Sequence, residues 1–129
     1  MVAVDTNVLV RLLIADHAAQ ATRAAAVFRS GPVFIAKSVL LETEWVLRYS
    51  YELGVEAILR SLRAVLGLED VSVEDPKAIA AALRLFERGL DFADALHIAS
   101  GAQAERFVTF DARLVKRARR ASTLEVVVA

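Results

Sequence analysis

The sequence predicts an α/β fold, with a central, mostly parallel sheet of four to five short strands flanked by helices. Three observations carry this. Short, almost wholly apolar runs recur along the chain. Between them lie longer segments whose apolar residues return at helical spacing. The 129 residues also suit a single domain, 1–129, with no linker, repeat or low-complexity tract to divide them.

The elements follow in order. Val2 to Val4 forms an apolar first strand, expected to be buried. Thr6 to Ile14 turns helical, with Val8, Leu9, Leu12 and Leu13 on one face. His17 to Ser30 is a helix rich in Ala, the best helix former, and Gly31-Pro32 stops it. Val33 to Ala36 is the second strand. Ser38 is placed to cap a helix that runs through Trp45 to about Tyr49. Gly54 separates it from another helix, Val55 to Leu66, and Val71 to Val73 is the third strand. Asp75-Pro76 opens a helix, the Asp capping and the Pro filling the first turn, and Gly89 ends it after Arg88. Phe92 to Ala104 is helical, Phe107 to Phe110 is the fourth strand, Ala112 to Arg120 a short helix, and Leu124 to Val128 the last strand.

Composition excludes several classes. Lys+Arg and Asp+Glu both count 16, so no global field draws in nucleic acid and any grip on phosphate must be local. The absence of cysteine removes disulfides, thiol catalysis and zinc–thiolate sites. Asp5 and Arg11 interrupt the apolar opening, and no span is long enough to cross a bilayer. A cytoplasmic protein with no membrane partner is expected. Hydrophobic residues make up 57%, more than a core needs. The surplus is either apolar surface kept for a partner, often a second copy, or the small alanines of Ala-rich helices.

In open α/β sheets, ligands bind beyond the carboxyl ends of the strands. Asp5 follows the first strand and Asp111 the fourth. Glu42 lies one turn into the helix after the second strand, and Asp94 near the start of the helix before the fourth. Helix N-termini favour anions there. A parallel sheet gathers the four acids at one rim. Clustered carboxylates repel one another unless a cation or raised pKa values relieve them. Hard oxygen donors without His or Cys companions select magnesium or manganese over zinc. Such a site suits phosphodiester hydrolysis by a metal-activated water, and two ions about 3.5–4 Å apart would also stabilise the leaving oxygen. Asp5 and Asp111 also suit the simpler job of helix caps. The coincidence of four acids, with Asp5 and Glu42 set among apolar residues, favours function.

Four stretches, in order and across nearly the whole chain, resemble the PIN-domain family and within it the VapC-like toxins. They are Val4-Asp5-Thr6-Asn7-Val8-Leu9, Leu40-Leu41-Glu42-Thr43-Glu44-Trp45-Val46-Leu47-Arg48, Asp91-Phe92-Ala93-Asp94-Ala95-Leu96-His97-Ile98-Ala99 and Val108-Thr109-Phe110-Asp111. The resemblance implies a PIN-like α/β/α sandwich and a Mg2+- or Mn2+-dependent endoribonuclease, the toxin of a type II toxin–antitoxin pair. It also implies inhibition of translation, an RNA substrate, a homodimer, and a cognate antitoxin that blocks the active site. It makes Asp5, Glu42, Asp94 and Asp111 the catalytic, metal-binding acids. Thr6, Asn7 and Thr109 take supporting roles, orienting carboxylates or metal waters.

Glu42 is preferred to Glu44, which is expected to be a solvated charge or a rim residue. Asp91 either caps its helix or touches an outer metal water, the cap being favoured. His97, one turn after Asp94, is expected to be a packed or hydrogen-bonded core residue, and His17 a surface one. Trp45 is expected in the core with Leu41 and Val46, ahead of a dimer seam or antitoxin groove. After Asp111 comes the basic run Arg113, Lys116, Arg117, Arg119 and Arg120. Of these, Arg113, Lys116 and Arg117 are the candidate RNA contacts; an acidic antitoxin tail and a solvated helix face are the other readings.

Three other functions compete. A non-catalytic PIN-like partner-binding protein has no need of four mutually repelling acids. A receiver-like phosphoacceptor module needs paired acids after the first strand, a central acceptor Asp and a late Lys; the third strand here offers only Glu74 and Asp75. A structure-specific DNA nuclease needs insertions for which the chain is too short.

Overall fold

The computed structural model describes all residues, Met1 to Ala129. The chain divides into two compact units, Met1–Glu74 and Asp75–Ala129.

The first unit runs β1 (Val2–Ala3), α1 (Thr6–Leu13), α2 (Ala18–Arg29), β2 (Val33–Ile35), α3 (Lys37–Tyr49), α4 (Val55–Leu66) and β3 (Val71–Val73). The strands pair in parallel in the order β1-β2-β3, Val2 opposite Val33 and Val33 opposite Val71. Central β2 carries the burial: Val33 and Ile35 are inaccessible to solvent. Strand β1 is an edge and Val2 stays 49% exposed, which corrects the expected buried first strand. An edge strand has a neighbour on one side only, and apolar composition does not reveal that.

Helix α1 packs against α2 and α3. Its buried residues are Thr6, Leu9 and Val10, while Val8, Leu12 and Leu13 are half-buried, so the inward stripe is turned from the expected one. Helix α3 begins one residue before Ser38. Ala36 holds the N-cap position without a side-chain bond, so Ser38 is not the cap. Glu74, just after β3, does the work instead: its Oε1 accepts the Lys37 N–H at 2.9 Å. Gly54 opens α4, whose Ile58, Leu59, Leu62 and Val65 form a buried stripe at helical spacing. Each such side chain contributes about 1.5–3 kcal/mol by leaving water.

The second unit runs α5 (Pro76–Glu87), α6 (Phe92–Ser100), β4 (Arg106–Thr109), α7 (Ala112–Ala118) and β5 (Glu125–Val128). Asp75 caps α5 as expected, accepting the Ala78 N–H through Oδ1, with Pro76 in the first turn. Gly89, at φ 104°, turns the chain out of that helix where a side chain would be strained. Helices α5 and α6 pack together, the Phe86 and Phe92 rings meeting edge-on at 5.3 Å. Helix α6 stops at Ser100, short of Ala104, because Gly101 closes it by donating to the carbonyls of His97 and Ile98. Strands β4 and β5 pair in parallel. Every pairing within a sheet is thus parallel, as expected, but the five strands divide into a three-stranded and a two-stranded sheet. No helix is long and apolar enough to cross a membrane.

Candidate functional site

In the first unit, the turn from β1 into α1 sets Asp5 at the helix N-cap, where Oδ1 accepts the Val8 N–H at 3.1 Å. Capping occupies one oxygen, and Oδ2 makes no hydrogen bond. The next residue, Thr6, is buried and donates its hydroxyl proton to Glu42 Oε1 on α3. This ties an exposed carboxylate to α1 and limits its rotamers. Asn7 is exposed and, with Asp5, lines a cleft of about 300 Å3 bordered by Arg11, Gln20 and Arg23.

Two neighbours on α3 differ from expectation. Glu44 is 1% exposed rather than solvated, and Arg48 clasps it with two bonds, Nε to Oε2 at 2.8 Å and Nη2 to Oε1 at 3.1 Å. The guanidinium supplies the bidentate partner that a buried carboxylate requires. Trp45 is 53% exposed rather than in the core, tilted against exposed Tyr49 with ring centroids 4.9 Å apart. Glu44, and not Trp45, lies on the inward stripe of the helix.

In the second unit, Asp91 caps α6 as favoured, its Oδ2 accepting from Ala93 N at 3.1 Å and Asp94 N at 3.3 Å. Asp111 caps α7, its Oδ1 accepting from Arg113 N at 2.9 Å and Leu114 N at 3.1 Å. Its own N–H donates to Thr109 Oγ1 at 3.1 Å. Thr109 therefore holds the backbone at Asp111 and makes no bond to its carboxylate. Asp94 differs from both: its carboxylate makes no hydrogen bond or ion pair. With Asp91, Asp111, Arg113 and Arg117 it lines a cleft of about 230 Å3. Burial, and then the negative charges of Asp91 and Asp111, push its carboxyl above the usual range, while His97 opposes them. His97 is exposed on α6, which corrects the expected core position; the turn that carries Asp94 inward leaves it at the surface.

A larger cleft, about 560 Å3, is lined by Arg88, Arg113, Lys116, Arg117 and Arg120. Arg119 is not among them. Arg88 comes from the C-terminal cap of α5, far from the basic run in sequence, so reasoning along the chain missed it. The one signal was its position beside a helix-ending Gly.

A model of the PIN domain matches residues 2–120. The chain belongs to the PIN-domain family. Its sequence also aligns with the crystal structure of Mycobacterium tuberculosis VapC20, described as a sarcin-ricin-loop-cleaving toxin, at 26% identity over 88% of this chain and 92% of that one, with a TM-score of 0.45. No curated protein matches.

Of the acids singled out in this PIN domain, the first unit links Glu42 to Thr6 beside Asp5, and the second brings Asp94 and Asp111 to one cleft. In neither unit do three His, Asp or Glu side chains assemble into a ready-made metal cage. Magnesium does not need one, since it commonly takes one or two carboxylates and keeps several waters. The all-oxygen donor set and the unsatisfied Asp94 suit such a cation. The receiver-like reading fails here. A receiver sheet has β1 between β2 and β3, whereas β2 is central in this one. Glu74 and Asp75 both serve as helix caps.

Proposed function

We propose that this PIN domain is a Mg2+- or Mn2+-dependent endoribonuclease acting in the cytoplasm as the toxin of a type II toxin–antitoxin pair. Asp5, Glu42, Asp94 and Asp111 would hold the metal. The observation that carries this is Asp94, a carboxylate without a hydrogen bond, held in a cleft against Asp91 and Asp111. A fold gains nothing structurally from that repulsion, and a cation relieves it. When bound, the metal supplies a water activated for attack and positive charge against the phosphate.

The chain's own residues do the rest. Thr6 and Thr109 restrict Glu42 and the Asp111 backbone, so the donors are arranged before a cation or substrate arrives. Arg113 and Arg117, on the wall of the same cleft, attract and orient a phosphodiester that the acids alone would repel. The partners that go with this reading are RNA, a cognate antitoxin and a second copy of the chain. Exposed Trp45 and Tyr49 offer apolar surface of the sort protein partners cover.

The test is cleavage of defined single-stranded and hairpin RNAs by wild type and Asp94→Asn. Cleavage should require Mg2+ or Mn2+ and fall by at least about a hundredfold in the variant, with circular dichroism unchanged. Full cleavage in excess chelator, or undiminished cleavage by Asp94→Asn, would overturn the proposal.

A further inference from the structure

The larger cleft presents the converse of the acid cluster. Four guanidinium groups and one ammonium (Arg88, Arg113, Arg117, Arg120 and Lys116) surround about 560 Å3, and no acid lines it. None of the five makes an ion pair. Their side-chain hydrogen bonds go to backbone carbonyls, from Arg88 Nη1 to Ala121 O at 3.3 Å and from Arg117 Nη1 to Gly89 O at 3.5 Å. These bonds anchor two of the arginines and leave most of their N–H donors free. Five like charges on one cleft repel one another, so the arrangement lowers stability until an anion enters. The predominance of Arg over Lys selects an oxyanion that a planar fork can grip with two parallel bonds.

Arg113 and Arg117 line both this cleft and the acid cleft, so the two share a wall. A polymer with an anion at every repeat can occupy both at once. We propose that the basic cleft is a phosphate-binding subsite for the RNA backbone, holding a phosphate other than the one cleaved. This rests on the reading of RNA as substrate. It assigns to that substrate two residues, Arg88 and Arg120, that lie outside the acid cleft. An acidic protein segment is the competing occupant. RNA is favoured because the track leads directly to the acids at which a phosphodiester would be cut.

The experiment measures binding of a labelled single-stranded oligoribonucleotide to Asp94→Asn protein in chelator, across a salt series. In Arg88→Ala/Arg120→Ala on that background, the slope of log K against log salt should flatten by about 0.7, one phosphate's worth on a single strand. Arg88→Lys/Arg120→Lys should retain the parental slope while binding more weakly, because charge persists and the fork is lost. An unchanged slope in the Ala pair overturns the proposal. So does a polyglutamate probe that binds the parent more tightly than RNA does and loses that binding in the Ala pair. If the Ala pair fails to fold by circular dichroism, Lys116→Ala/Arg120→Ala replaces it with the same expectation. Because binding is measured without metal or turnover, a failed nuclease assay leaves this result standing on its own.

Discussion

On the proposed function, Asp94 is where stability and function pull apart. Its carboxyl is raised by burial and by Asp91 and Asp111, so the folded chain holds that proton more tightly than the unfolded chain does. Between the ordinary carboxylate pKa and the raised one, the native state binds more protons, and stability falls as pH rises. Metal-free Asp94→Asn should therefore melt higher than wild type at neutral pH, with the gap closing as the buffer is acidified through the carboxylate range. A variant that melts lower at pH 7 would show that the acid helps to hold the fold. Asp111 separates its two jobs by choice of substitution. Asn still caps, so Asp111→Asn should keep wild-type stability yet lose metal-dependent cleavage, whereas Asp111→Ala should also lose about 1 kcal/mol in denaturant unfolding. Both acids stand out as candidates in the sequence, Asp111 just after a strand and Asp94 near the start of a helix, each in a recognisable stretch. That Asp5 and Asp111 also cap helices was legible too, from Asp ahead of a helical run. The surroundings of Asp94 were not, since its burial and the proximity of Asp111 arise from the fold and not from the local sequence.

Helix α3 shows how residue type can mislead within a correctly placed element. Its buried positions are Leu40, Thr43, Glu44 and Leu47, and Glu42, Trp45 and Tyr49 are exposed. The spacing of that inward stripe is the ordinary helical one, so periodicity alone would have placed Glu44 inside and Trp45 outside. Preference by type, acid out and aromatic in, gave the reverse. The buried Glu44 depends on Arg48, whose side chain is 34% exposed. Arg48→Met leaves the carboxylate without its guanidinium and should cost about 3 kcal/mol, the low end for breaking a buried pair because water still reaches the arginine. Glu44→Leu added to Arg48→Met should recover most of that loss. Equal stability of the single and double variants would mean that the pair is not what holds this turn of α3.

At the scale of the whole molecule, equal numbers of acids and bases, 16 each, conceal a local separation of charge. Asp91, Asp94 and Asp111 line one cleft of the second unit and five cations line its neighbour, with Arg113 and Arg117 on both. The formal balance implied that any attraction to phosphate would be local, but it could not say where cations gather, because Arg88 joins the basic run only through the fold. The division of five strands into two sheets, each internally parallel, was hidden for a similar reason. Strands of two to four residues carry apolar character but no record of their partners, and pairing is decided between distant parts of the chain. Unrelieved acid charge gives the metal proposal a thermodynamic signature that requires no RNA. A cation that binds only the folded chain stabilises it by about 2.7 kcal/mol when present at a hundred times its dissociation constant. Millimolar Mg2+ or Mn2+ should therefore raise the melting temperature of wild type by several degrees, and sodium chloride of equal ionic strength should not. Asp94→Asn begins from a higher melting temperature and should lose most of this metal-dependent increment. If the proposed four donors share the cation, Asp5→Asn, Glu42→Gln and Asp111→Asn should lose it as well. Equal increments in wild type and all four variants would place the cation elsewhere, and no increment in wild type would remove the metal from the proposed chemistry.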